Sequence, residues 1–151
     1  MTIKVVATNR KAQHNYFLLD TYEAGIALKG SEIKSVRAGQ ISIKEAYVQI
    51  ENFEAWLMNA HIAPYKQASY LGHDPNRKRK LLLHSKEISH LWDEVRKKGV
   101  TIVPTRVYLK NGRAKIEIAV GRGKKQYDKR QEIAKRDAQR EVDRHLRQRD
   151  F

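Results

Sequence analysis

The dipeptide Asn111-Gly112 constrains the fold of this chain more than any other feature. It lies between two runs that read as strands, Thr101 to Leu109 and Ala114 to Val120. A two-residue hairpin turn needs positive φ at its central residues, which asparagine and glycine tolerate and most residues do not. The two runs therefore pair antiparallel. Pro104, inside the first run, cannot donate a ladder hydrogen bond, which predicts an edge position.

The rest of the first 120 residues follows the same pattern. A second hairpin is expected from Ala46 to Ile50 and Ala55 to Asn59, joined by the four-residue loop Glu51-Asn52-Phe53-Glu54. Upstream, Ile3 to Ala7 and Asn15 to Leu19 are apolar runs of strand length. Glu23 to Leu28 continues the sheet past a bend, with Gly25 at a bulge. Two helices are expected. One runs from Gly30 to Gly39, with Ser31 as its cap and Gly39 as its stop. The other begins at Ser85, repeats Ile88, Leu91, Trp92 and Val95 at helical spacing, and ends at Gly99. Short strands with two or three short helices predict a mainly β fold, a small antiparallel barrel of the oligonucleotide-binding (OB) kind, over residues 1–120. Tyr16, Phe17, Trp56 and Trp92 are expected in its core.

Residues 121–151 differ in charge. They carry 11 Lys and Arg against 6 acids, where the preceding 120 carry 20 against 11. Basic density therefore doubles at Gly121. Ala134, Ala138, Val142 and Leu146 make a stripe one residue wide, too thin to dock on a core. Asp128 and Gln131 have capping-box spacing, and Glu132 with Arg136 and Asp143 with Arg147 are favourable i,i+4 pairs. The segment reads as a basic C-terminal tail that becomes helical when bound to RNA; an inert solubilising tail is the alternative.

The whole chain has a formal net charge of +14, from 31 Lys and Arg against 17 Asp and Glu. That surplus attracts polyanions. An apolar helix face or about 20 consecutive apolar residues would be needed for a membrane, and neither is present, so nucleic acid is the expected partner. With no cysteine, disulfide scaffolds and thiolate zinc sites are excluded. Met1 to Arg10 lacks the apolar core of a signal peptide, which predicts a cytoplasmic protein. The six histidines form no HExxH or HxH arrangement and accompany no nucleophile motif. Gly121-Arg122-Gly123-Lys124-Lys125 lacks phosphate-loop spacing and reads as a flexible joint with charges for phosphate. No enzyme, cofactor or metal is expected. An enzyme would have to use Glu23 and His14 as an acid–base pair.

Two basic clusters fit RNA, Arg10-Lys11 and Arg77-Lys78-Arg79-Lys80, the latter followed by Leu81-Leu82-Leu83. Tyr65 and Tyr70 lie in the loop leading to the second cluster and Tyr127 inside the tail's basic run, where rings can stack on unpaired bases. These segments carry a resemblance. Asn9-Arg10-Lys11-Ala12, His14-Asn15-Tyr16-Phe17 and Tyr22-Glu23-Ala24-Gly25-Ile26 resemble the opening of the SsrA-binding protein (small protein B) family. The likeness continues through Gly30 to Gly39 and Asp74 to Leu83, and ends in Gly123-Lys124-Lys125-Gln126-Tyr127-Asp128-Lys129-Arg130.

The resemblance implies an OB-like barrel that holds the transfer-RNA-like domain of transfer-messenger RNA and delivers it to stalled ribosomes for trans-translation. The implied partners are that RNA, the small ribosomal subunit with its ribosomal RNA, and elongation factor Tu in the delivery complex. The tail, Gly123, Lys124, Lys125, Tyr127, Asp128, Lys129 and Arg130 included, would enter the decoding centre and the empty message channel. Some family members carry His where Tyr127 stands, which favours stacking over charge there. Asn9, Glu23, Leu82 and Lys115 match positions implicated in RNA binding, and His14 falls in the same block. Glu23 could accept hydrogen bonds from base amino groups or form a salt bridge within the barrel. Leu82 could be an apolar wedge against a base or a core residue. A general OB-fold, ribosome-associated RNA-binding protein is the other reading.

Overall fold

In the computed structural model, residues 3–64, 73–123 and 139–140 are described. Residues 139–140 are helical, and nine strands and three helices follow one another along residues 3–123, among those described. In order these are β1 (Ile3–Thr8), α1 (Arg10–Asn15), β2 (Tyr16–Ile26), α2 (Gly30–Arg37), β3 (Ile41–Ser42) and β4 (Tyr47–Glu51). They are followed by β5 (Glu54–Met58), β6 (His61–Ile62), β7 (Arg79–Leu82), α3 (Ser85–Val95), β8 (Val100–Lys110) and β9 (Arg113–Gly123). The fold is mainly β and antiparallel. Six strands close a barrel: β8 pairs with β4, then β5, β7, β2 and β9 follow, and β9 returns to β8. β1 pairs with β8 alongside this ring, and β3 with β6 forms a separate two-stranded ribbon.

Alternation of side chains places the core. Ala55 and Leu57 of β5 point inward, as do Ala114, Ile116 and Ile118 of β9. They meet Leu81, Ile102 and Val107 in one cluster. α3 adds Leu91 to that cluster and packs against β8, β4 and β9. The Asn111-Gly112 turn is as expected, with φ of 51° and 79°.

Several expectations are corrected. Pro104 lies inside β8, a strand flanked on both sides, yet pairs only with Ile118 of β9, since β4 pairs at Ile102 and β1 from Arg106 onward. The expected edge position holds for the residue and not for the strand. Its missing donor is tolerated because the ladder slips there, between Pro104 and Arg106. β2 is one strand of 11 residues, and its irregularity falls between Leu18 and Thr21 rather than at Gly25. α1 is a helix that propensity did not suggest. Asn9 caps it, its Oδ1 accepting from the Ala12 N–H at 3.1 Å. Neither serine caps its helix. Lys29 and His84 occupy those positions, and Glu32 and Glu87 accept their backbone N–H groups at 2.8 and 3.1 Å. Of the four aromatics expected in the core, Phe17 and Trp92 are exposed and Tyr16 and Trp56 only partly buried. Gly121 to Gly123, read as a joint, belong to β9 and face Leu18 to Tyr16 across the ladder.

The second hairpin also differs. Glu51 and Glu54 pair directly, so the loop is Asn52-Phe53, with φ of 51° and 61°. Phe53 thus takes a left-handed conformation that costs a bulky L-residue roughly 1–2 kcal/mol. Phe53→Gly is expected to stabilise the fold by about 1 kcal/mol, a rise of a few degrees in Tm. Thermal unfolding followed by circular dichroism checks this. An unchanged or lower Tm would mean that ring contacts outweigh the backbone strain.

Candidate nucleic-acid interface

The interface is built on the alternation in β7. Arg79 and Leu81 are buried, while Lys80 and Leu82 face out. A charged residue rarely takes the inward position, and here it has a full set of partners. Arg79 Nε donates to Glu32 Oε2 at 2.7 Å, its Nη1 to the Ala60 carbonyl at 2.7 Å and its Nη2 to the Pro75 carbonyl at 3.1 Å. Glu32 is equally buried, and its other oxygen accepts from the Lys29 N–H and from Arg77. Burial opposes ionisation of Glu32. The hydrogen bonds from Arg77, Lys29 and Arg79 outweigh it and hold the carboxyl below its ordinary range.

This arrangement splits the basic run Arg77-Lys78-Arg79-Lys80. Arg79 has no surface to offer a partner, which corrects the expected direct contact: its place is structural. Arg77 is bound to Glu32 with its side chain 28% exposed. The Lys78 ammonium lies 4.6 Å from the ring centre of Trp56, a cation–π contact. Lys80 faces outward, 3.4 Å from Glu54.

Leu82 is 57% exposed, which decides against a core role. It stands opposite Gly25 of β2, and Gly25 in turn stands opposite Lys115 of β9. Glu23 lies two residues along β2, on the same face as Gly25. Three residues distant in sequence therefore meet because β7, β2 and β9 are neighbours. Glu23, Leu82, Lys80 and Lys115 line one open groove of about 630 Å³, with Phe53 at its far end.

Glu23 is held ready as an acceptor. The Tyr108 hydroxyl donates to its Oε2, and Lys110 Nζ stands 3.4 Å from Oε1. The Tyr108 hydrogen bond first, then Lys110, lower its carboxyl from the ordinary range. Burial and the Glu23 carboxylate push the Tyr108 hydroxyl up in return. At neutral pH the carboxylate is ionised and the phenol keeps its proton. An oriented, exposed carboxylate repels phosphate but matches the amino groups on base edges. Tyr108 and Lys110 were not singled out in the sequence. Their i,i+2 spacing on β8, which puts both on one face, was the available signal.

The α1 residues lie elsewhere. Asn9 is 2% exposed, and its Nδ2 donates to the carbonyls of Ile43 at 3.0 Å and Pro104 at 2.9 Å. Its side chain is buried and engaged within the fold, ordering the backbone around α1, so the expected direct contact is corrected to a structural position. Arg10 and His14 are exposed, and Lys11 pairs with Glu45. Asn9 and Lys11 line a smaller pocket of about 200 Å³ with Tyr16, Lys44 and Tyr47. His14 does not line the Glu23 groove, so the structure does not assemble the two as an acid–base pair. Gly123 ends β9 opposite Tyr16. Lys124, Lys125, Tyr127, Asp128, Lys129 and Arg130 lie outside the described residues, as do Tyr65 and Tyr70.

Comparison with known proteins adds a family. The SmpB protein family matches residues 6–148. The chain is 58% identical over 142 residues to the SsrA-binding protein of Persephonella marina, covering 94% of this chain and 93% of the relative. It is 54% identical over 144 residues to the SsrA-binding protein of Desulforudis audaxviator, covering 95% and 94%. Among solved structures it is similar, with a TM-score of 0.67 and 48% identity, to a chain described under "tmRNA-SmpB: a journey to the center of the bacterial ribosome". That likeness covers 79% of this chain and 84% of the other.

The buried pair beneath the groove gives a pH test. The folded-state carboxyl of Glu32 lies below its ordinary value of 4.5. Its contribution is therefore complete above that value and is lost as pH falls through the lower, folded one. Glu32→Gln is expected to cost about 3–5 kcal/mol at neutral pH, because Arg79 stays buried without its counter-ion. It should also flatten the decline in Tm below pH 4.5. Tm measured from neutral to acid pH for both proteins checks both parts; parallel acid limbs would contradict the assignment.

Proposed function

The chain belongs to the SmpB family, and from that membership we propose that it binds the transfer-RNA-like domain of transfer-messenger RNA and delivers it to stalled ribosomes. There the incomplete peptide is tagged and the ribosome released, by trans-translation. The protein acts by binding and is not an enzyme. The relatives named above are SsrA-binding proteins, and the similar solved chain is described with tmRNA and the bacterial ribosome. The cytoplasm is where such a task is carried out.

One observation carries the reading. Glu23, Leu82 and Lys115, three of the four positions that the family resemblance singles out, converge on one groove. Each supplies a different chemistry: a fixed acceptor for base edges, an apolar wedge for an unstacked base, and a cation for phosphate. Asn9, the fourth, works from beneath the surface by ordering α1, which presents Arg10 and His14 to solvent. Arg10, Lys11 and His14 offer a second contact face, and Lys80 extends the groove. Within the delivery complex elongation factor Tu is the third component. The tail from Lys124 onward takes the decoding centre and the empty message channel, where about 20 residues of helix would span on the order of 30 Å.

Leu82→Ala, Glu23→Ala and Lys115→Ala should each weaken binding to the transfer-RNA-like fragment by roughly 1–3 kcal/mol. Because Leu82 is exposed, its truncation should leave Tm nearly unchanged, unlike the loss of about 2–5 kcal/mol expected for a core leucine. Removing residues 124–151 should keep RNA affinity within a few-fold and abolish peptide tagging. Binding titrations and a reconstituted tagging assay on the same proteins check both expectations. Tight binding by all three point variants would overturn the groove reading, and full tagging by the truncated chain would overturn the role given to the tail.

A further inference from the structure

The groove continues past Leu82. Beyond that side chain lies a second trough of about 390 Å³, floored by Leu28 and Ile33 and edged by Arg37, Arg113 and Lys115. Gly25, Leu82 and Lys115 line both spaces, which puts Leu82 on the divide between them. The ridge can stand there because its neighbour is glycine. A Cβ on Gly25 would lie 3.3 Å from the Leu82 Cβ, a contact tight enough to push the ridge aside.

The two spaces differ in charge. Three carboxylates line the first, Glu23, Glu54 and Glu87, beside Lys80 and Lys115. No carboxylate lines the second among the described residues, and its three charged residues are all cations. Arg37 sits in the last turn of α2 and Arg113 follows the Asn111-Gly112 turn, so the trough joins a helix end to a hairpin tip. Arg37 Nη2 reaches to 3.4 Å from the Gly112 carbonyl. Among the described residues no ion pair involves Arg37, Arg113 or Lys115.

We propose that this second trough is a phosphate-backbone site, and that Arg37 and Arg113 hold the backbone of an unpaired RNA stretch whose bases enter the Glu23 groove. The proposal rests on the RNA-binding reading of that groove and adds a polarity to it. A strand lying across Leu82 presents its bases to the side that carries acceptors and its phosphates to the side that carries only cations. Sorting of this kind matches the division of labour between base readout and phosphate contact. The apolar floor and the exposed leucine suit an unpaired stretch, whose unstacked bases can be splayed onto side chains, and not a duplex.

The test uses the full chain and the transfer-RNA-like fragment of transfer-messenger RNA, titrated over a range of salt. Arg37→Ala with Arg113→Ala should weaken binding at least tenfold at about 0.1 M salt. It should make the log–log salt slope shallower by roughly 1.4, since each single-strand phosphate contact contributes about 0.7. Arg37→Gln with Arg113→Gln keeps the aliphatic stems and should behave alike, which assigns the loss to charge. Lys86→Ala with Lys98→Ala removes the same net charge from exposed positions outside the trough and should change the slope little. An equal effect from that lysine pair would overturn the proposal, because bulk charge would then suffice. Glu23→Ala separates the two readings. If it weakens binding and the arginine pairs do not, the trough assignment fails and the base groove stands. If Glu23→Ala and Leu82→Ala both leave affinity intact, the groove reading fails and the trough falls with it.

Discussion

The ion pair between Glu32 and Arg79, both fully buried, sets the geometry on which the surface proposed to face RNA depends. Taking two charges out of water costs several kcal/mol per ion, and attraction offsets that only when every remaining donor and acceptor is satisfied. Here Arg79 also donates to carbonyls of Ala60 and Pro75, and Glu32 also accepts from Lys29 and Arg77. The pair thus ties α2, the turn that holds Pro75 and the β5–β6 connection at Ala60 to a four-residue strand. It also fixes register. A slip of one residue in β7 would turn Arg79 to solvent, Lys80 into the core and Leu82 inward. Only one register satisfies the buried carboxylate, and that register displays Lys80 and Leu82.

With the register fixed, the groove gains its chemical variety from strand neighbours. β2 contributes Glu23, two residues before Gly25, and β9 contributes Lys115, which faces Gly25 from one side while Leu82 packs on it from the other. A net charge of +14 draws RNA to the whole surface without selecting a sequence or shape. Selection falls to groups that discriminate, and an oriented carboxylate on a basic protein is one. Tyr108 and Lys110 hold Glu23 ionised and in place, so a base edge brought to it would meet an acceptor that needs little reorganisation.

Much of the barrel was legible in sequence because its signals are local. Asn111-Gly112 announced the β8–β9 hairpin, and the apolar spacing from Ile88 to Val95 announced α3. What failed was non-local. Pro104 sits inside a strand because a bulge accommodates it, and no property of proline itself reveals that bulge. The Asn52-Phe53 turn defied turn chemistry because pairing of the flanking strands holds a phenylalanine at positive φ. Asn9 and Arg79 read as surface polar residues, although their partners, Ile43, Pro104 and Glu32, come from segments remote in sequence. For the groove, the family resemblance supplied Glu23, Leu82 and Lys115 as names. Their convergence required the order β7, β2, β9, which no residue pattern encodes.

On the proposed reading, the outward face at Leu82 is where this protein meets transfer-messenger RNA. A photo-crosslinking amino acid placed at Leu82 in living cells, followed by sequencing of the attached RNA, tests it most directly. The expected result is transfer-messenger RNA far above its cellular abundance, with crosslinks confined to unpaired nucleotides of its transfer-RNA-like domain. Ribosomal or messenger RNA recovered in proportion to abundance, with transfer-messenger RNA not enriched, would place the binding surface elsewhere.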